Sequence, residues 1–360
     1  MSSAIDADVR RVLVHRLGSI GDFVVALPCL HLIRRRFPDA QIVLLTNVPL
    51  EARAAPAMSV LEGMGLVDGL LTYPYGLRDW RRLARLRREI CSFQPDLLVY
   101  LLWRGSLWQV VRDYLYFSSA GIARMVGFPF AAADRRSRPP AMRGGLWQSE
   151  AQRLASCIAP LGDAAPCDSA NWDLRLTEAE QREAQRLINE ALPSGAAARP
   201  ILGLSIGTKQ PAKDWGDDNW RAVLRRLADD GRPLLLIGSG GERARSQGVA
   251  EVWPGPVINV CGEASPRVSA ALIARSEMFL CHDSGPMHLA AAVGTRCIAV
   301  FSTLNLPGQW FPFGTAHRIF YPHAPGATIR DIRPDEVADA ASEALARRPP
   351  RGQEGGEVAA

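Results

Sequence analysis

Two kinds of segment alternate along the chain: short apolar runs that are as long as strands, and amphipathic stretches that are as long as helices. From residue 10 onward, this pattern predicts a strand (RVLVHRL), a glycine turn over 18–22, a helix over 23–37 and a strand (IVLLT). Further strands are predicted at 70–74, 96–103 and 123–128, with a basic helix at 77–93. Strands that are apolar along their whole length are typical of a parallel sheet covered by helices on both faces.

A second block of alternation follows a more polar middle region. A helix is predicted at 147–159, and the TEAE sequence at Thr177 is a capping box for a helix that ends near residue 192. The later strands are predicted at 201–207, 234–239, 257–262, 278–281 and 297–301. The helices of this block are predicted at 218–228, after Glu242, and at 266–276, 286–293 and 334–347.

The two blocks predict an α/β protein with two domains. We assign the domains to 1–180 and 181–345, with a linker near the small, flexible segment 193–200 and a disordered tail at 346–360. A length of 360 residues and an apolar fraction of 48% are enough for two well-filled cores.

The sequence carries no signal for export. It has no run of about 18 apolar residues, and its first residues lack the apolar core of a signal peptide, so we expect a cytoplasmic protein. The seven cysteines form no CxxC pair. Cys261, Cys281 and Cys297 are expected to be small buried residues rather than disulfides or zinc ligands.

Positive charge is unevenly distributed. The formal net charge is +5, with arginine-rich patches at 34–36, 78–88 and 135–143 that indicate an acidic partner or a solvated surface. The polar loop 129–145, which contains the last patch, is a candidate for binding or for disorder. The chain has only two lysines, Lys209 and Lys213, and their position in one loop indicates a site where a compact ammonium charge matters.

Open parallel sheets bind ligands at the carboxyl ends of their strands, so the loops that follow strands are the first places to search for chemistry. The turn 18–22 is neither a GxGxxG fingerprint nor a P-loop, and by itself it indicates neither a dinucleotide nor ATP. Asp22 stands at the start of a helix, where a carboxylate serves as an N-cap or dipole partner. Facing a cleft, the same carboxylate could act as a general base.

Three further loops carry polar or glycine-rich sequences. GTKQPAKDW (207–215) offers hydroxyl and ammonium groups that could clamp a diphosphate, or it is an exposed loop with a tryptophan anchor. In GSGGE (238–242), Glu242 could bind ribose hydroxyls, cap a helix, or do both. HDSGPMH (282–288) leads from a strand into a helix, which gives either a phosphate site or an ordinary capped turn. A serine hydrolase is not favoured, because no GxSxG elbow is present.

Three motifs occur in order: RVLVHRLGSIGDFVVALPCLHLIRRRFPDAQIVLLT, GTKQPAKDW, and DSGPMHLAAAVGT with the apolar strand after it. Together they resemble glycosyltransferase family 9, the ADP-heptose:lipopolysaccharide heptosyltransferases, over most of 10–340 and least from about 104 to 175. The resemblance implies the GT-B fold, in which two Rossmann-like domains with parallel sheets face a central cleft. It also implies an inverting transfer without a cofactor or a catalytic metal, with the acceptor on the N-terminal domain and the donor on the C-terminal domain.

The resemblance implies roles for individual residues. Asp22 would be the general base that deprotonates the acceptor hydroxyl, and Lys213 with Thr208 would stabilise the diphosphate of the leaving group. Lys209 would assist them, and Glu242 would hold the ribose. The donor turn, whose backbone amides would receive the diphosphate, comprises Asp283, Ser284, Gly285, Pro286, Met287 and His288. Of these we expect His288 to be a structural helix residue rather than a catalyst.

On the acceptor side, we expect contacts from Gly21 and, if the acceptor is a phosphorylated inner-core lipid, from Arg135, Arg136 and Arg138. The implied partners are ADP-heptose, an acidic glycan or glycolipid acceptor, and the cytoplasmic face of the inner membrane as a peripheral contact, with no nucleic acid. Arg296 stands where many members have proline, and the loop 129–145 has no counterpart that we can match. The alternatives are a different nucleotide sugar, an acceptor other than lipopolysaccharide, and a catalytically silent binding protein or epimerase of the same fold.

Overall fold

The architecture is taken from a computed structural model, which describes residues 8–48, 58–74, 76, 79–141, 145–192, 199–228, 231–322, 324 and 326–346. Two separate parallel sheets form in this part of the chain, one from strands within 11–126 and the other from strands within 201–320. The α/β class predicted from the alternation is therefore confirmed. The predicted domain boundary stays a prediction, and most of the predicted linker and tail lies outside the described residues.

The N-terminal sheet is built around its first strand. Its strands are β1 (Arg11–His15), β2 (Gln41–Val48), β3 (Gly69–Pro74), β4 (Leu97–Tyr100) and β5 (Met125–Val126), in the order β3-β2-β1-β4-β5. The helices of this half are α1 (Ile20–Val25), α2 (Leu27–Arg36), α3 (Met58–Leu61), α4 (Trp80–Phe93), α5 (Leu107–Ser119), α6 (Ala132–Arg135), α7 (Glu150–Cys157) and α8 (Glu178–Ala191). Because β1 is central, the turn that follows it lies at the middle of the sheet's carboxyl edge.

The C-terminal sheet has the same parallel arrangement. Its strands are β6 (Ile201–Ser205), β7 (Leu234–Leu236), β8 (Val257–Asn259), β9 (Ser276–His282), β10 (Cys297–Val300) and β11 (Arg318–Phe320), in the order β11-β10-β9-β6-β7-β8. The helices of this half are α9 (Asp217–Arg226), α10 (Arg243–Ala250), α11 (Pro266–Ile273), α12 (Gly285–Ala292) and α13 (Pro334–Ala346). β6 and β9 are central neighbours, so the loops after these two strands meet at the carboxyl edge.

A buried arginine of the C-terminal half ties the two halves together. Arg267, at the start of α11, is 3% exposed and donates to the carbonyl oxygens of Val60 at 3.0 Å and Leu174 at 2.9 Å. It also donates to Glu180 Oε2, at the start of α8, at 2.9 Å. Since these partners belong to three segments of the chain before the second sheet, this one side chain contributes several hydrogen bonds to the contact between the halves.

The first predicted helix is interrupted, which corrects the single helix expected over 23–37. α1 ends at Val25, and α2 begins at Leu27, with Ala26 between them and Pro28 in the first turn of α2. Proline has no N–H to donate to the preceding turn and its ring crowds the carbonyl four residues earlier, so a continuous helix cannot pass it without a break. Asp22 therefore lies in a helix of only six residues.

Other boundaries also differ from the sequence prediction, and the strands expected over 96–103, 234–239 and 257–262 end earlier, at Tyr100, Leu236 and Asn259. The helix expected over 266–276 ends at Ile273, and Ser276 already begins β9. His282, expected in a polar turn, is the last residue of β9 and is fully buried. Helix α5 and strand β11 were not predicted. Among the described helices, none is long and apolar enough to cross a membrane.

Candidate functional site

The first turns of α1 and α12 meet between the two sheets. A Cβ atom placed on Gly21 would lie 3.8 Å from the Cα of Gly285, and one placed on Gly285 would lie 3.7 Å from the backbone nitrogen of Gly21. The Cβ on Gly21 would also lie 2.9 Å from Cδ2 of His288, closer than side chains tolerate. Only glycine permits this approach. It brings Asp22, the next residue, beside the turn that precedes α12.

Asp22 takes part in a capping box and still reaches solvent. Ser19 is the N-cap of α1, and its backbone N–H donates to Asp22 Oδ2 at 2.8 Å. The Ser19 hydroxyl lies 3.3 Å from the same oxygen. The side chain of Asp22 is 30% exposed. The capping role considered from the sequence is therefore present, and it leaves part of the carboxylate exposed to solvent.

Arg16 lies beneath Asp22 and was not singled out from the sequence. It is 3% exposed, and its Nε and Nη2 donate to the backbone carbonyl of Asp22 at 3.3 and 3.2 Å. Nη2 also lies 3.6 Å from Asp22 Oδ1. Nη1 donates to the Leu101 carbonyl at 2.8 Å and to Glu150 Oε1 at 3.2 Å. An arginine directly after an apolar strand, beside a glycine turn, is the sequence signal that could have indicated it.

Glu150 is shared between Arg16 and a second buried arginine. Arg153 donates from Nε to Glu150 Oε2 at 2.7 Å and from Nη2 to Oε1 at 2.8 Å, and both side chains are almost completely buried. Burial by itself raises the pKa of the Glu150 carboxyl, but the hydrogen bonds and charges of Arg153 and Arg16 outweigh it and hold the pKa below its ordinary value. These three groups carry a net positive charge, and Asp22 supplies a second negative charge next to them.

Lys213 is held by a carboxylate of the donor turn. The short 3-10 turn Pro211–Lys213 follows β6, and Lys213 Nζ lies 2.6 Å from Asp283 Oδ2. Asn305 Nδ2 donates to the same oxygen at 2.7 Å, and the Asp283 side chain is 6% exposed. The sequence analysis missed Asn305, which is 22 positions from Asp283. Lys209 is exposed in the same loop, and Thr208 Oγ1 accepts from the backbone N–H of Gln210 at 3.3 Å.

A buried histidine anchors the lysine loop. Nε2 of His282 accepts from the backbone N–H of Trp215 at 3.1 Å and from Nε1 of Trp220 at 3.3 Å. Burial lowers the pKa of His282 to about 4, so the ring is neutral at pH 7 and Nε2 is free of a proton. Trp215, the anchor in the alternative interpretation of this loop, is fully buried.

The Glu242 carboxylate lies over the ends of β6 and β7. Its Oε2 accepts from the backbone N–H of Ser239 at 2.6 Å, which completes a capping box. A Cβ on Gly238 would lie 2.7 Å from Oε2, and a Cβ on Gly207 would overlap the carboxylate. The helix-cap use is therefore present, and the absence of side chains on Gly207 and Gly238, after the neighbouring strands β6 and β7, leaves room for the carboxylate at the sheet edge.

The donor turn contains half-buried and buried residues. Ser284 is the N-cap of α12, Pro286 lies in its first turn, and Met287 is buried in the core. His288 is buried as well, and burial lowers its pKa to about 4. The charges of Asp283 and Asp22 raise the pKa of His288, and that of Lys213 lowers it, so these groups surround one neutral imidazole.

The arginine-rich loop adjoins the site through its backbone. Arg135 donates to the Pro129 carbonyl at 3.4 Å, within its own loop, while Arg136 and Arg138 are exposed. The backbone carbonyl of Asp134 accepts from Arg153 Nη1 at 2.9 Å. The contacts of Arg135 thus do not include Asp22, and the connection from this loop to Asp22 runs through the buried charges of Arg153, Glu150 and Arg16. Residues 142–144 of the loop lie outside the described part of the chain.

Side chains of the types that bind metal ions do not form a cluster in the described part of the chain. Across the described ranges, no group of three or more His, Cys, Asp or Glu side chains is placed to hold a metal ion. Cys261, Cys281 and Cys297 are buried, as the sequence predicts. No cysteine ligand set or disulfide therefore enters the description of the site.

Known proteins resemble this chain in sequence. The model of glycosyltransferase family 9 (heptosyltransferase) matches residues 142–329. A match to lipooligosaccharide heptosyltransferase 2 of Haemophilus influenzae has 29% identity, but it covers 29% of this chain and only 31% of that protein. The lipopolysaccharide core heptosyltransferase OpsX of the same organism is 20% identical over 82% of this chain and 80% of its own length. The first relatives are thus matched over about a third of their length, and OpsX over most of it.

Solved structures share the fold at low sequence identity. A family 9 glycosyltransferase from Veillonella parvula superposes with a TM-score of 0.72, 18% identity and coverage of 95% of this chain and 98% of that chain. The ADP-heptose lps heptosyltransferase II of E. coli superposes with a TM-score of 0.65 at 19% identity, over 94% and 99% of the two chains. The two parallel-sheet halves form a GT-B fold. With the family model matched over more than half of its length, the chain belongs to glycosyltransferase family 9, a family of glycosyl-transferring enzymes.

Proposed function

We propose that this protein transfers a heptose from ADP-heptose to a hydroxyl group of a lipopolysaccharide inner-core or related acceptor, with inversion at the anomeric carbon. The observation that carries the proposal is the contact between Gly21 and Gly285, which sets Asp22 beside the donor turn. A relative of similar fold is named as an ADP-heptose lps heptosyltransferase, and another is a heptosyltransferase bound to ADP-2-deoxy-2-fluoro heptose.

In this proposal Asp22 is the general base. Its carboxylate is fixed by Ser19 and Arg16 but is 30% exposed, so an acceptor hydroxyl can approach within hydrogen-bonding distance. As the acceptor oxygen forms its bond to the anomeric carbon, Asp22 takes the proton. The bond from that carbon to the diphosphate oxygen breaks on the opposite face, and its electron pair leaves with ADP. Attack from the face opposite the leaving group gives the inversion.

The leaving diphosphate gains negative charge in this step and needs preorganised positive groups. Lys213 supplies an ammonium that is already oriented by Asp283, which Asn305 holds in turn. Ser284 stands at the N-cap position of α12, but its side chain makes no capping hydrogen bond, so the N-terminus of α12 can supply backbone N–H groups and the positive end of the helix dipole. Thr208 and the exposed Lys209 extend the same side of the site. The proposal assigns the charge stabilisation to these groups and to no metal.

We assign the remaining contacts with the donor to residues at the carboxyl edge of the C-terminal sheet. Glu242 accepts from Ser239 through Oε2, and its other oxygen is available for the ribose hydroxyls of ADP. Pro286, Met287 and His288 would act by shaping the turn, since Met287 and His288 are buried.

The acceptor is proposed to be an acidic glycan or glycolipid. Gly21 is buried against the donor turn, so its contribution is to hold Asp22 in position, and the exposed Arg136 and Arg138, with the half-buried Arg135, offer positive charge on the same half. An acceptor attached to lipid places the enzyme in the cytoplasm as a peripheral protein on the inner membrane. No nucleic acid enters this proposal.

The test is direct transfer. Purified protein is incubated with ADP-heptose and a panel of truncated lipopolysaccharide cores, and the products are weighed by mass spectrometry. The expected result is an acceptor that gains the mass of one heptose residue, with release of ADP. Calorimetry with ADP, UDP and GDP separates donors, and tighter binding of UDP than of ADP would redirect the proposal to another nucleotide sugar. Donor binding without transfer to any core would favour a different acceptor or a silent binding protein.

A further inference from the structure

Helices α4 and α5 lie side by side on one face of the N-terminal sheet. Leu86 and Ile90 of α4 and Phe117 of α5 are buried in the same core cluster against that sheet. The hydroxyl of Tyr116 donates to the Leu83 carbonyl at 3.0 Å, and Arg87 Nε donates to the Ser119 carbonyl at 2.8 Å. Because these bonds join the two helices, their outer faces form one continuous surface, which we call the α4–α5 surface.

The outer face of α5 is apolar, although its inner face already fills the core. Leu107 is 47% exposed, Trp108 71% and Leu115 58%, and Trp103 just before the helix is 52% exposed. Positions 108 and 115 lie two helical turns apart on one side, opposite the buried Val110 and Phe117. Soluble proteins seldom expose contiguous apolar surface of this kind unless it binds a partner or a membrane.

Aromatic rings extend this apolar area beyond the helix. Tyr114 is 37% exposed and packs edge-on against Phe128 and Phe130, with ring centroids 5.3 and 5.5 Å apart. Phe130 is itself 46% exposed. The exposed rings of Tyr114 and Phe130 are therefore held in position by contacts with neighbouring rings. A fixed aromatic group with one face in solvent is suited to the boundary between water and acyl chains.

The neighbouring helix supplies positive charge. All the arginines of α4 are exposed, namely Arg81, Arg82, Arg85, Arg87 and Arg88. Glu89 is the one acidic residue within this helix, and it pairs with Arg85 at 3.0 Å. On α5, Arg112 has 56% of its side chain exposed, but its guanidinium is paired with Asp113 at 2.7 Å, so most of the positive charge of this surface comes from α4. Arginine beside exposed tryptophan and leucine is the composition of a helix that lies on an anionic lipid surface.

We infer that the α4–α5 surface docks this protein on an anionic lipid bilayer, with Trp108 and Leu115 entering the acyl boundary and the α4 arginines contacting lipid phosphates. A second copy of the chain is a poorer occupant, because a two-fold interface brings identical patches together and would set these arginines against one another. The inference gives the membrane contact proposed above a location. It is tested without donor or acceptor, so its failure and a failure of the transfer reaction are separate results.

The test is flotation of the full chain with vesicles made of equal parts phosphatidylglycerol and phosphatidylcholine, compared with pure phosphatidylcholine vesicles. The protein should float with the anionic vesicles and be released by high salt. Replacing both apolar groups (Trp108→Ser with Leu115→Ser) should weaken vesicle binding by about tenfold or more. Leu70→Ser is the matched control, because Leu70 is 40% exposed on β3, away from this surface, and it should leave binding unchanged.

The charge component has its own pair of variants. Arg82→Gln with Arg85→Gln should weaken binding to the anionic vesicles by about fivefold for each arginine. Arg182→Gln removes an arginine of α8 whose side chain is 73% exposed, and it should have no effect. Thermal unfolding of each variant confirms that it is folded, and salt release of the unmodified chain tests the charge component without any substitution.

Three outcomes would overturn the inference. They are no flotation of the unmodified chain with anionic vesicles, equal flotation with both vesicle types, and equal losses in the variants and their controls. Sedimentation velocity adds a fourth. A dimer that is lost in the Trp108→Ser, Leu115→Ser variant would assign the α4–α5 surface to a second copy of the chain.

Discussion

Arg16 lies directly beneath Asp22, donating to its backbone carbonyl at 3.2 and 3.3 Å and facing its carboxylate at 3.6 Å. The guanidinium is 3% exposed, whereas the carboxylate above it is 30% exposed. The buried guanidinium of Arg16 thus fixes the position of a carboxylate that is itself partly exposed to solvent. In the proposed reaction, Arg16 is a positioning residue for the base.

The first prediction concerns the guanidinium of Arg16. Arg16→Lys keeps a positive charge but cannot make the four hydrogen bonds to Asp22, Leu101 and Glu150 together. We expect kcat to fall by about 10-fold to 100-fold, because a misplaced base is slower even when the substrates bind. The Kd of ADP, measured by calorimetry, should stay within about twofold.

Arg182→Lys is the matched control, since Arg182 pairs with Glu178 on the exposed face of α8 at 3.1 Å. It should leave both constants unchanged. An Arg16→Lys enzyme that keeps full kcat would remove Arg16 from the mechanism.

The second prediction separates the two lysines. Lys213→Gln removes the ammonium held 2.6 Å from Asp283, whereas Lys209→Gln removes an exposed ammonium of the same loop. We expect Lys213→Gln to weaken ADP binding and to lower kcat by about 100-fold or more, because charge on the leaving diphosphate loses its counterion. Lys209→Gln should cause a much smaller loss. Equal losses in steady-state assays of the two variants would contradict the assignment.

The third prediction concerns the ribose contact. In Glu242→Gln the amide oxygen can still accept from Ser239, so the helix start is retained while the negative charge is lost. ADP binding should weaken by about tenfold, as expected for the loss of a charged hydrogen bond of about 1.5 kcal/mol. Inorganic pyrophosphate, which has no ribose, should bind the variant and the parent equally. A parallel loss for both ligands would indicate a damaged loop instead.

The fourth prediction follows from two buried histidines. His282 and His288 have pKa values of about 4 in the folded protein, below the ordinary value of 6.5. Their stabilising effect is complete above pH 6.5 and is lost as the pH falls toward 4, because the unfolded chain binds the protons first. The free energy of unfolding should fall by about 2 kcal/mol per histidine between about pH 7.5 and 5.

Urea unfolding followed by tryptophan fluorescence measures this effect, since Trp215 and Trp220 both donate to His282. His282→Gln retains an acceptor and has no proton to gain, so its free energy of unfolding should depend less on pH. An identical pH dependence in the parent and the variant would show that His282 is not responsible.

The sequence was sufficient to predict the groups that lie in local motifs. Asp22 with its glycine turn, the lysine loop and the turn Asp283-Ser284-Gly285 each follow a strand, and strand ends of a parallel sheet are found from hydrophobic pattern alone. The same pattern predicted two α/β halves, and the family resemblance implied the GT-B fold.

The partners of these groups could not be predicted because they are distant in sequence. Glu150 contacts Arg16 across 134 positions, and Lys213 contacts Asp283 across 70. Nothing in a local pattern distinguishes Glu150 from an exposed helical glutamate until the fold buries it. Helix α5 was missed as well, although Ser106 and Gln109 form a capping box at its start.

The central claim is that Asp22 accepts the proton of the acceptor, and Asp22→Asn tests it most directly. Asparagine keeps the size and the acceptor oxygen toward Ser19 but cannot take a proton at neutral pH. The measurement is a single-turnover transfer assay with ADP-heptose and the acceptor identified by mass spectrometry, beside calorimetry of ADP. The account predicts a rate lower by about 1,000-fold or more with the Kd of ADP within about twofold. An Asp22→Asn enzyme that transfers at the parent rate would contradict it.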